Sequence, residues 1–292
     1  MLRRLVAYLA PTPHAHGVLL VLVSVACFTT NVLLIRALGQ FQHVNVWLVV
    51  CARFVVGLTL VAVFYRREFA PANLWRKPKL VLRGLAGGLS VAAFYFSIVH
   101  LGAGRATFIN NTYVIFGALL AVGILHERFQ PALATGSVAT LVGLALLTNA
   151  FAANTHPGFF DLVALSSSLA AAYVVVTIRQ LHATEHTSTI FAAQCAYGLL
   201  FCVPLAATHH ESIGPMAWGM MILAGTFATG GQIAMTRAFR ELPVAEGSLL
   251  QMLVPLGVAL GGAIFFHERF ALHELAGAAL ILAGCTVTAL RR

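Results

Sequence analysis

The chain consists of long, continuously apolar stretches separated by short polar connections. Because the hydrocarbon core of a bilayer is about 30 Å thick, a helix needs about 20 apolar residues to cross it. Ten stretches meet that requirement: Gly17–Leu38, Asn45–Tyr65, Leu80–His100, Arg105–Leu125, Pro131–Ala150, Phe159–Arg179, Thr187–Ala207, Met216–Ala238, Ala245–Phe266 and Ala271–Leu290. Strands of a membrane barrel would alternate apolar and polar residues over about ten positions. The pattern therefore predicts an all-α integral membrane protein with ten transmembrane helices.

The second half of the chain repeats the first. The tetrapeptide His-Glu-Arg-Phe occupies His126–Phe129 and, 141 residues later, His267–Phe270. Glycines follow at the same offset, Gly136 and Gly143 after the first copy and Gly277 and Gly284 after the second. Each copy holds five spans, and because five is odd the second copy enters the membrane from the opposite side. We therefore predict an N-terminal five-helix repeat at 1–150 and an inverted C-terminal five-helix repeat at 151–292.

Composition and charge agree with a membrane location. The chain is 60% hydrophobic and 9% charged, whereas a soluble domain carries roughly 25% charged residues. If the N-terminus is cytoplasmic, 14 of the 18 lysines and arginines fall in the inside segments, including the cluster from Arg66 to Arg83. This asymmetry predicts that both termini are cytoplasmic, and it explains the net charge of +9 without a nucleic-acid partner. Arg53 is interpreted as the only basic residue well inside a span.

The sequence offers no catalytic or metal-binding arrangement. All five cysteines fall inside predicted spans, which is typical of small buried side chains and not of a disulfide framework. No HExxH motif, paired carboxylates or Ser-His pair occurs within the spans, so neither an enzyme activity nor a metal or other cofactor is expected. The first span is expected to be an uncleaved anchor.

The combined pattern resembles the drug/metabolite transporter superfamily and, within it, the EamA-type bacterial exporters. The residues that carry the resemblance are the two His-Glu-Arg-Phe copies with their glycines, Arg53-Phe54, and Leu242–Ala245. The resemblance implies a secondary transporter in which the first four helices of each half surround a cavity and the fifth and tenth pack outside it. Such families export amino acids, sugars, nucleosides and toxic cations. Inverted repeats place the substrate near the membrane midplane, between the repeats.

Polar side chains inside spans are costly and mark candidate binding sites. Asn110 and Gln251 are separated by the same 141 residues and would face a shared cavity from opposite sides of the midplane. Hydrogen bonds that hold helices together are the alternative interpretation. The complete set of substrate-binding candidates is Asn31, Tyr95, Asn110, Asn111, Tyr173, Gln194, Tyr197, Gln232 and Gln251.

Three charged residues are candidates for substrate attraction or gating. Arg53 could attract a carboxylate or phosphate, or it could snorkel towards the interface. Glu127 and Glu268 precede the fifth and tenth helices, where a carboxylate stabilises free amide groups; gating or coupling is the second interpretation. No Asp or Glu lies near the centre of a span, which disfavours proton-coupled exchange of cations.

The sequence thus predicts an exporter of small metabolites, with neutral and aromatic amino acids as substrates, that works by alternating access in the inner (cytoplasmic) membrane. The alternative is a proton-coupled antiporter for multiple drugs or quaternary cations; an intramembrane enzyme and a channel are disfavoured. The expected partners are a small-molecule substrate and the lipid bilayer. The substrate, direction, coupling ion and oligomeric state, whether monomer or oligomer, remain open.

Overall fold

The computed structural model describes residues 12–41, 44–128, 130–150, 158–208 and 213–290, and within these ranges the regular structure is entirely α-helical. The helices are α1 Pro13–Phe41, α2 Val46–Phe64, α3 Asn73–Arg76, α4 Pro78–Leu101, α5 Ala103–Asn111, α6 Tyr113–Leu125, α7 Pro131–Leu147, α8 Phe159–Leu181, α9 Thr187–Ala206, α10 Pro215–Ala238, α11 Val244–Gln251, α12 Leu253–Phe266 and α13 Leu272–Leu290.

Seven helical segments are long and apolar enough to cross a membrane when α5–α6 and α11–α12 are each taken as continuous. The helix α7 and the apolar part of α13, Leu272–Thr286, are shorter. The helix α10 has 24 residues but carries Gln232 and Arg237, and it is not among the seven. The prediction of an all-α integral membrane protein is confirmed, whereas the number of ten spans stays a prediction.

The outside of the bundle is covered by large apolar side chains. Leu22, Val55, Leu119, Val138 and Phe265 are all exposed, on helices from both halves of the chain. An apolar surface of this extent is unfavourable in water and favourable against hydrocarbon.

Most of the packing joins helices from different halves of the chain. The helix α1 packs against α10, α4 against α8 and α9, and α2 against α9 and α10. The first and second halves of the chain are therefore interleaved, and the interior of the bundle is shared between them.

The repeated glycines pack α7 against α13. A Cβ atom on Gly143 would lie 2.6 Å from the carbonyl oxygen of Gly277, and one on Gly277 would lie 2.4 Å from that of Gly143. A Cβ atom on Gly284 would lie 2.8 Å from the carbonyl oxygen of Gly136. Small residues at these positions let the two backbones approach closely, which accounts for the glycines at matching offsets.

The predicted fourth and ninth spans are both broken near their middle. The first divides at Thr112, between α5 and α6, and the second at Met252, between α11 and α12. In the ninth span Pro255 cannot donate a hydrogen bond to the carbonyl of Gln251, four residues earlier. In the fourth span the Thr112 hydroxyl donates to the carbonyl of Ile109 at 2.7 Å. Both breaks directly follow polar candidates, Asn111 before Thr112 and Gln251 before Met252.

Candidate functional site

A cavity of about 620 Å³ lies between the broken helices and the helices around them. Its lining includes Phe28, Asn31, Val32 and Arg36 of α1, Arg53 of α2, Val91, Phe94 and Tyr95 of α4, Ala103, Gly104, Thr107, Asn110 and Asn111 of α5, Tyr113 of α6, Leu147 and Thr148 at the end of α7, Met235 of α10, Gln251 of α11, Val254, Pro255, Val258 and Ala259 of α12, and Glu268. The cavity extends to the end of the bundle where α12 finishes and α4 joins α5. We call this the Glu268 end.

The opposite end of the bundle, which we call the Glu127 end, is densely packed. Here α6, α8 and α10 finish and α11 begins. Every residue is buried in 174–178 of α8, in 187–195 of α9, and in 244–252, which comprises α11 and the following Met252. The cavity therefore opens towards the Glu268 end, and these buried segments separate it from the Glu127 end, where a smaller pocket of about 350 Å³ is lined by Glu127, Arg179 and Pro243 among others.

The repeated motif ends a helix and then joins the two halves. His126 and His267 have the left-handed φ values of 54° and 55°, which terminate α6 and α12. Glu127 accepts from Arg179 Nη1 at 2.6 Å, and Glu268 accepts from Arg36 Nη1 at 2.9 Å. Each glutamate thus binds an arginine of the other half, one pair at each end of the bundle. Phe129 lies outside the described residues.

Asn110 and Gln251, the matched amides, line the same cavity. The Asn110 amide nitrogen donates to Ser167 Oγ at 2.6 Å, and the Gln251 amide nitrogen donates to Ser24 Oγ at 3.0 Å. Both serines are fully buried and belong to the opposite half of the chain. Asn110 and Gln251 therefore agree with both interpretations drawn from the sequence: their side chains line the cavity, and they connect helices of the two halves.

Three more candidates lie on the cavity wall. Asn31 donates to the carbonyl of Ala224 at 2.8 Å, Asn111 donates to the carbonyl of Thr107 at 2.8 Å, and Tyr95 stacks edge-on against Phe94. The remaining candidates, Tyr173, Gln194, Tyr197 and Gln232, are not part of this lining. The binding role of all nine residues stays a prediction.

The cavity carries one arginine without an ion pair among the described residues. The Arg53 guanidinium lies 5.9 Å from the centre of the Phe28 ring, and no carboxylate of the described chain forms a salt bridge with it. Glu268 is the only carboxylate among the described lining residues, and its hydrogen bond with Arg36 lowers the pKa of Glu268. The net charge of the lining is therefore positive.

The structure adds a buried arginine, Arg83, to the one that the sequence singles out. The sequence places Arg83 among the basic residues of the inside segments and gives Arg53 as the only basic residue well inside a span. In the structure Arg83 lies in α4 and is fully buried. The sequence did contain a signal for this buried arginine, because Arg83 lies within the third predicted span, Leu80–His100, four residues before Gly87.

Comparison with known proteins agrees with this architecture. The sequence profile of the EamA-like transporter family matches residues 15–149 and, separately, residues 158–290. The chain belongs to the EamA-like transporter family. This family lies within the drug/metabolite transporter superfamily, and membership shows that the protein is a membrane transporter of small molecules.

Two curated proteins illustrate the range of relatives of this EamA-like chain. The pseudopaline exporter CntI of Pseudomonas aeruginosa is 25% identical over 240 residues, which cover 81% of this chain and 84% of the relative. Solute carrier family 35 member G1 of Homo sapiens is 22% identical over 298 residues, covering 97% of this chain and 81% of the relative. A solved crystal structure of a protein with 18% identity has a TM-score of 0.77 and covers 94% of this chain and 96% of that one. The structural likeness shows the fold.

Proposed function

We propose that this protein exports small carboxylate-bearing metabolites, with neutral and aromatic amino acids as the leading substrates, across the inner membrane by alternating access. The cavity volume of about 620 Å³ falls within the roughly 300–1,000 Å³ that small-molecule sites occupy. The breaks in α5–α6 and α11–α12 match the discontinuous helices that bind substrates in inverted-repeat transporters. The relative named as a pseudopaline exporter supports export as the direction.

The absence of an ion pair at Arg53 among the described residues is the observation that supports a carboxylate-bearing substrate. A guanidinium in a membrane cavity is costly unless a ligand or partner compensates its charge, and the described residues supply no carboxylate to do so. A substrate carboxylate would provide that charge through two parallel hydrogen bonds. The aromatic rings of Phe28, Phe94 and Tyr95 line the same space and provide apolar contacts for a side chain.

The same charges disfavour the alternative, a proton-coupled antiporter for multiple drugs or quaternary cations. Such a carrier needs a carboxylate that binds proton and cation in turn. Glu268 is the only carboxylate in the described lining, and Arg36 binds it and lowers its pKa. A cation entering this cavity would meet Arg53 and no unpaired carboxylate of the described lining.

The proposal is tested by counterflow into proteoliposomes that hold the purified protein, with a labelled panel of amino acids. We expect uptake of neutral and aromatic amino acids and no uptake of a labelled quaternary cation such as tetraethylammonium. The assay is run with and without a pH gradient. Uptake of the cation that increases with the pH gradient, and no uptake of amino acids, would overturn the proposal in favour of the antiporter.

The role of Arg53 is tested by Arg53→Gln, with Arg67→Gln as the matched control. Arg67 is exposed in the connection between α2 and α3, so the same chemical change there should leave transport unaltered. We expect Arg53→Gln to lose roughly tenfold or more in apparent affinity, the size of one charge-assisted hydrogen bond. Equal transport by the two variants would remove Arg53 from the binding site.

A further inference from the structure

We infer that Arg83, together with Gln194, forms a second carboxylate-binding site, which receives the substrate when the Glu127 end is open. This inference rests on the proposed function, because it assumes that the substrate reaches both ends of the bundle in turn. Arg53 would bind the carboxylate in the conformation seen here, and Arg83 would bind it in the opposite one.

The Arg83 guanidinium is sealed inside the bundle with most of its donors unsatisfied. Its Nη2 donates to Gln194 Oε1 at 3.0 Å. Its Nε and Nη1 have no hydrogen-bond partner among the described residues, and no described carboxylate forms a salt bridge with it. Gln194 is neutral, so the positive charge of Arg83 has no compensating partner in the described part of the chain.

The Arg83 side chain runs along α4 in the direction of the cavity. A Cβ atom on Gly87 would lie only 2.5 Å from Arg83 Nη1, so Arg83 extends forward along the helix into space that Gly87 leaves open. Val91, one further helical turn along the same face, lines the cavity, and so does Tyr95. The guanidinium therefore lies about one turn, roughly 5.4 Å, below the cavity wall.

Arg83 and Gln194 also lie on a surface at which the two halves of the chain meet. The helix α4 belongs to the first half and α9 to the second, and their contact is made through small residues: a Cβ atom on Gly88 would lie 2.8 Å from Gly198 Cα. The α9 side chains that face these glycines are large, with Tyr197 against Gly84 and Phe201 against Gly88, so the two helices separate only if these rings move away from α4. If they separate at the Glu127 end, Arg83 gains access to solute while Gln194 stays beside the incoming group.

Burying an unpaired guanidinium is expensive, and apolar replacement of buried charges is often neutral or stabilising. A purely structural role for Arg83 is therefore hard to reconcile with its single neutral partner. The cost is accounted for if Arg83 is paired in another conformation, by an anionic group of the substrate.

The first test follows exposure of Arg83 directly and does not require transport. Proteoliposomes are treated with the water-soluble arginine reagent p-hydroxyphenylglyoxal, and modification of the α4 peptide is measured by mass spectrometry. We expect Arg83 to be modified slowly from the Glu127 end, and L-phenylalanine to protect it while L-phenylalaninamide, which lacks the carboxylate, does not. No modification, or equal protection by both compounds, would overturn the inference.

The second test separates carboxylate binding from a structural role. We expect Arg83→Gln to raise the KM for L-phenylalanine presented at the Glu127 end by roughly 10- to 100-fold, with a smaller change at the Glu268 end and little change for the amide. Arg83→Lys keeps the charge without the planar fork and should give an intermediate KM. Arg83→Met should raise thermal stability and abolish the preference for phenylalanine over its amide.

The outcomes distinguish the inference from the proposed function. Arg83→Met with a wild-type KM at both ends would show that Arg83 is structural and would overturn the inference while transport stands. If the unmodified protein transports no amino acid, the proposed function fails, and the labelling and protection of Arg83 still decide whether it binds a carboxylate. Arg67→Gln serves again as the control for loss of an arginine.

Discussion

Asn110 and Gln251 show how one side chain can both line a cavity and join two helices. Each donates its amide N–H to a buried serine of the opposite half, Ser167 and Ser24 respectively. The serines differ in their other contacts. Ser167 also donates to the carbonyl of Ser90 at 2.9 Å, whereas Gln251 is the one hydrogen-bond partner of the Ser24 side chain among the described residues. The two amides therefore occupy equivalent positions, but their loss has different consequences: Ser167 keeps a hydrogen bond without Asn110, whereas Ser24 has none without Gln251.

Alanine substitutions at the two amides should impair transport and differ in their effect on stability. Asn110→Ala leaves Ser167 hydrogen-bonded, so folded yield and thermal stability should change little. Gln251→Ala leaves the buried Ser24 hydroxyl without a partner, at a cost of about 1–3 kcal/mol. Counterflow activity and thermal unfolding of the purified variants measure the two effects.

The double variant Ser24→Ala/Gln251→Ala is the control for the unsatisfied hydroxyl. It should recover stability relative to Gln251→Ala without recovering transport. If both single variants lose folded protein in step with transport, the amides act only between helices and their place on the cavity wall is incidental.

The glycine contact between α7 and α13 holds two whole helices close together. A methyl group added within this contact should destabilise the protein, whereas one added at an exposed helical glycine should stabilise it. A Cβ atom on Gly277 would lie 2.4 Å from the Gly143 carbonyl oxygen, whereas one on Gly219 of α10 meets no atom within 4 Å. Gly277→Ala should therefore destabilise the protein by about 1–3 kcal/mol through overpacking. Gly219→Ala should stabilise it by up to about 1 kcal/mol by favouring the helix.

Thermal unfolding of both glycine variants in the same detergent tests this pair. Changes of the same sign would show that helix propensity outweighs the close contact, and the packing of α7 against α13 would then need another explanation.

The broken helices show which features of the fold could be predicted from sequence. The length of each apolar stretch requires a helix, so the fourth and ninth spans could be placed. The break in the ninth span had a local signal in Pro255, although the helix divides three residues earlier, at Met252. The break in the fourth span had none, since Val114 occupies the equivalent position. There the Thr112 hydroxyl bonds to the Ile109 carbonyl and to Ser168 of α8, a tertiary contact that no local pattern encodes.

The candidate site was predictable to the extent that the repeat constrained it. The offset of 141 residues identified Asn110 and Gln251, and both line the cavity. Gln194 and Tyr197 carried no such constraint. In the structure Gln194 accepts from Arg83, and the Tyr197 hydroxyl donates to the Leu74 carbonyl. Which face of a helix meets the cavity depends on its neighbours, and α9 is enclosed by α2, α4 and α10.

Across the whole molecule, equivalent contacts recur at the two ends of the bundle with the halves exchanged. Glu127 of the first half binds Arg179 of the second, and Glu268 of the second binds Arg36 of the first. The two ends differ in their packing: Glu127 also accepts from the Val244 N–H at 3.2 Å, while Glu268 lies on the wall of the larger cavity. Two similar sets of contacts, one at a densely packed end and one beside a large cavity, are what alternating access requires of a repeated chain.

The predicted inversion can be tested with a pair of equivalent positions. Gln130 and Ala271 are separated by 141 residues, are exposed, and directly precede α7 and α13. If the second repeat is inverted, they lie on opposite faces of the membrane. A membrane-impermeant maleimide added to intact cells should therefore label Ala271→Cys and leave Gln130→Cys unlabelled, whereas a permeant maleimide should label both. The unsubstituted protein is the control, because four of its five cysteines are buried and only Cys27 is partly accessible. Labelling of both positions by the impermeant reagent, or of neither, would place the two copies of the motif on one face and exclude an inverted repeat.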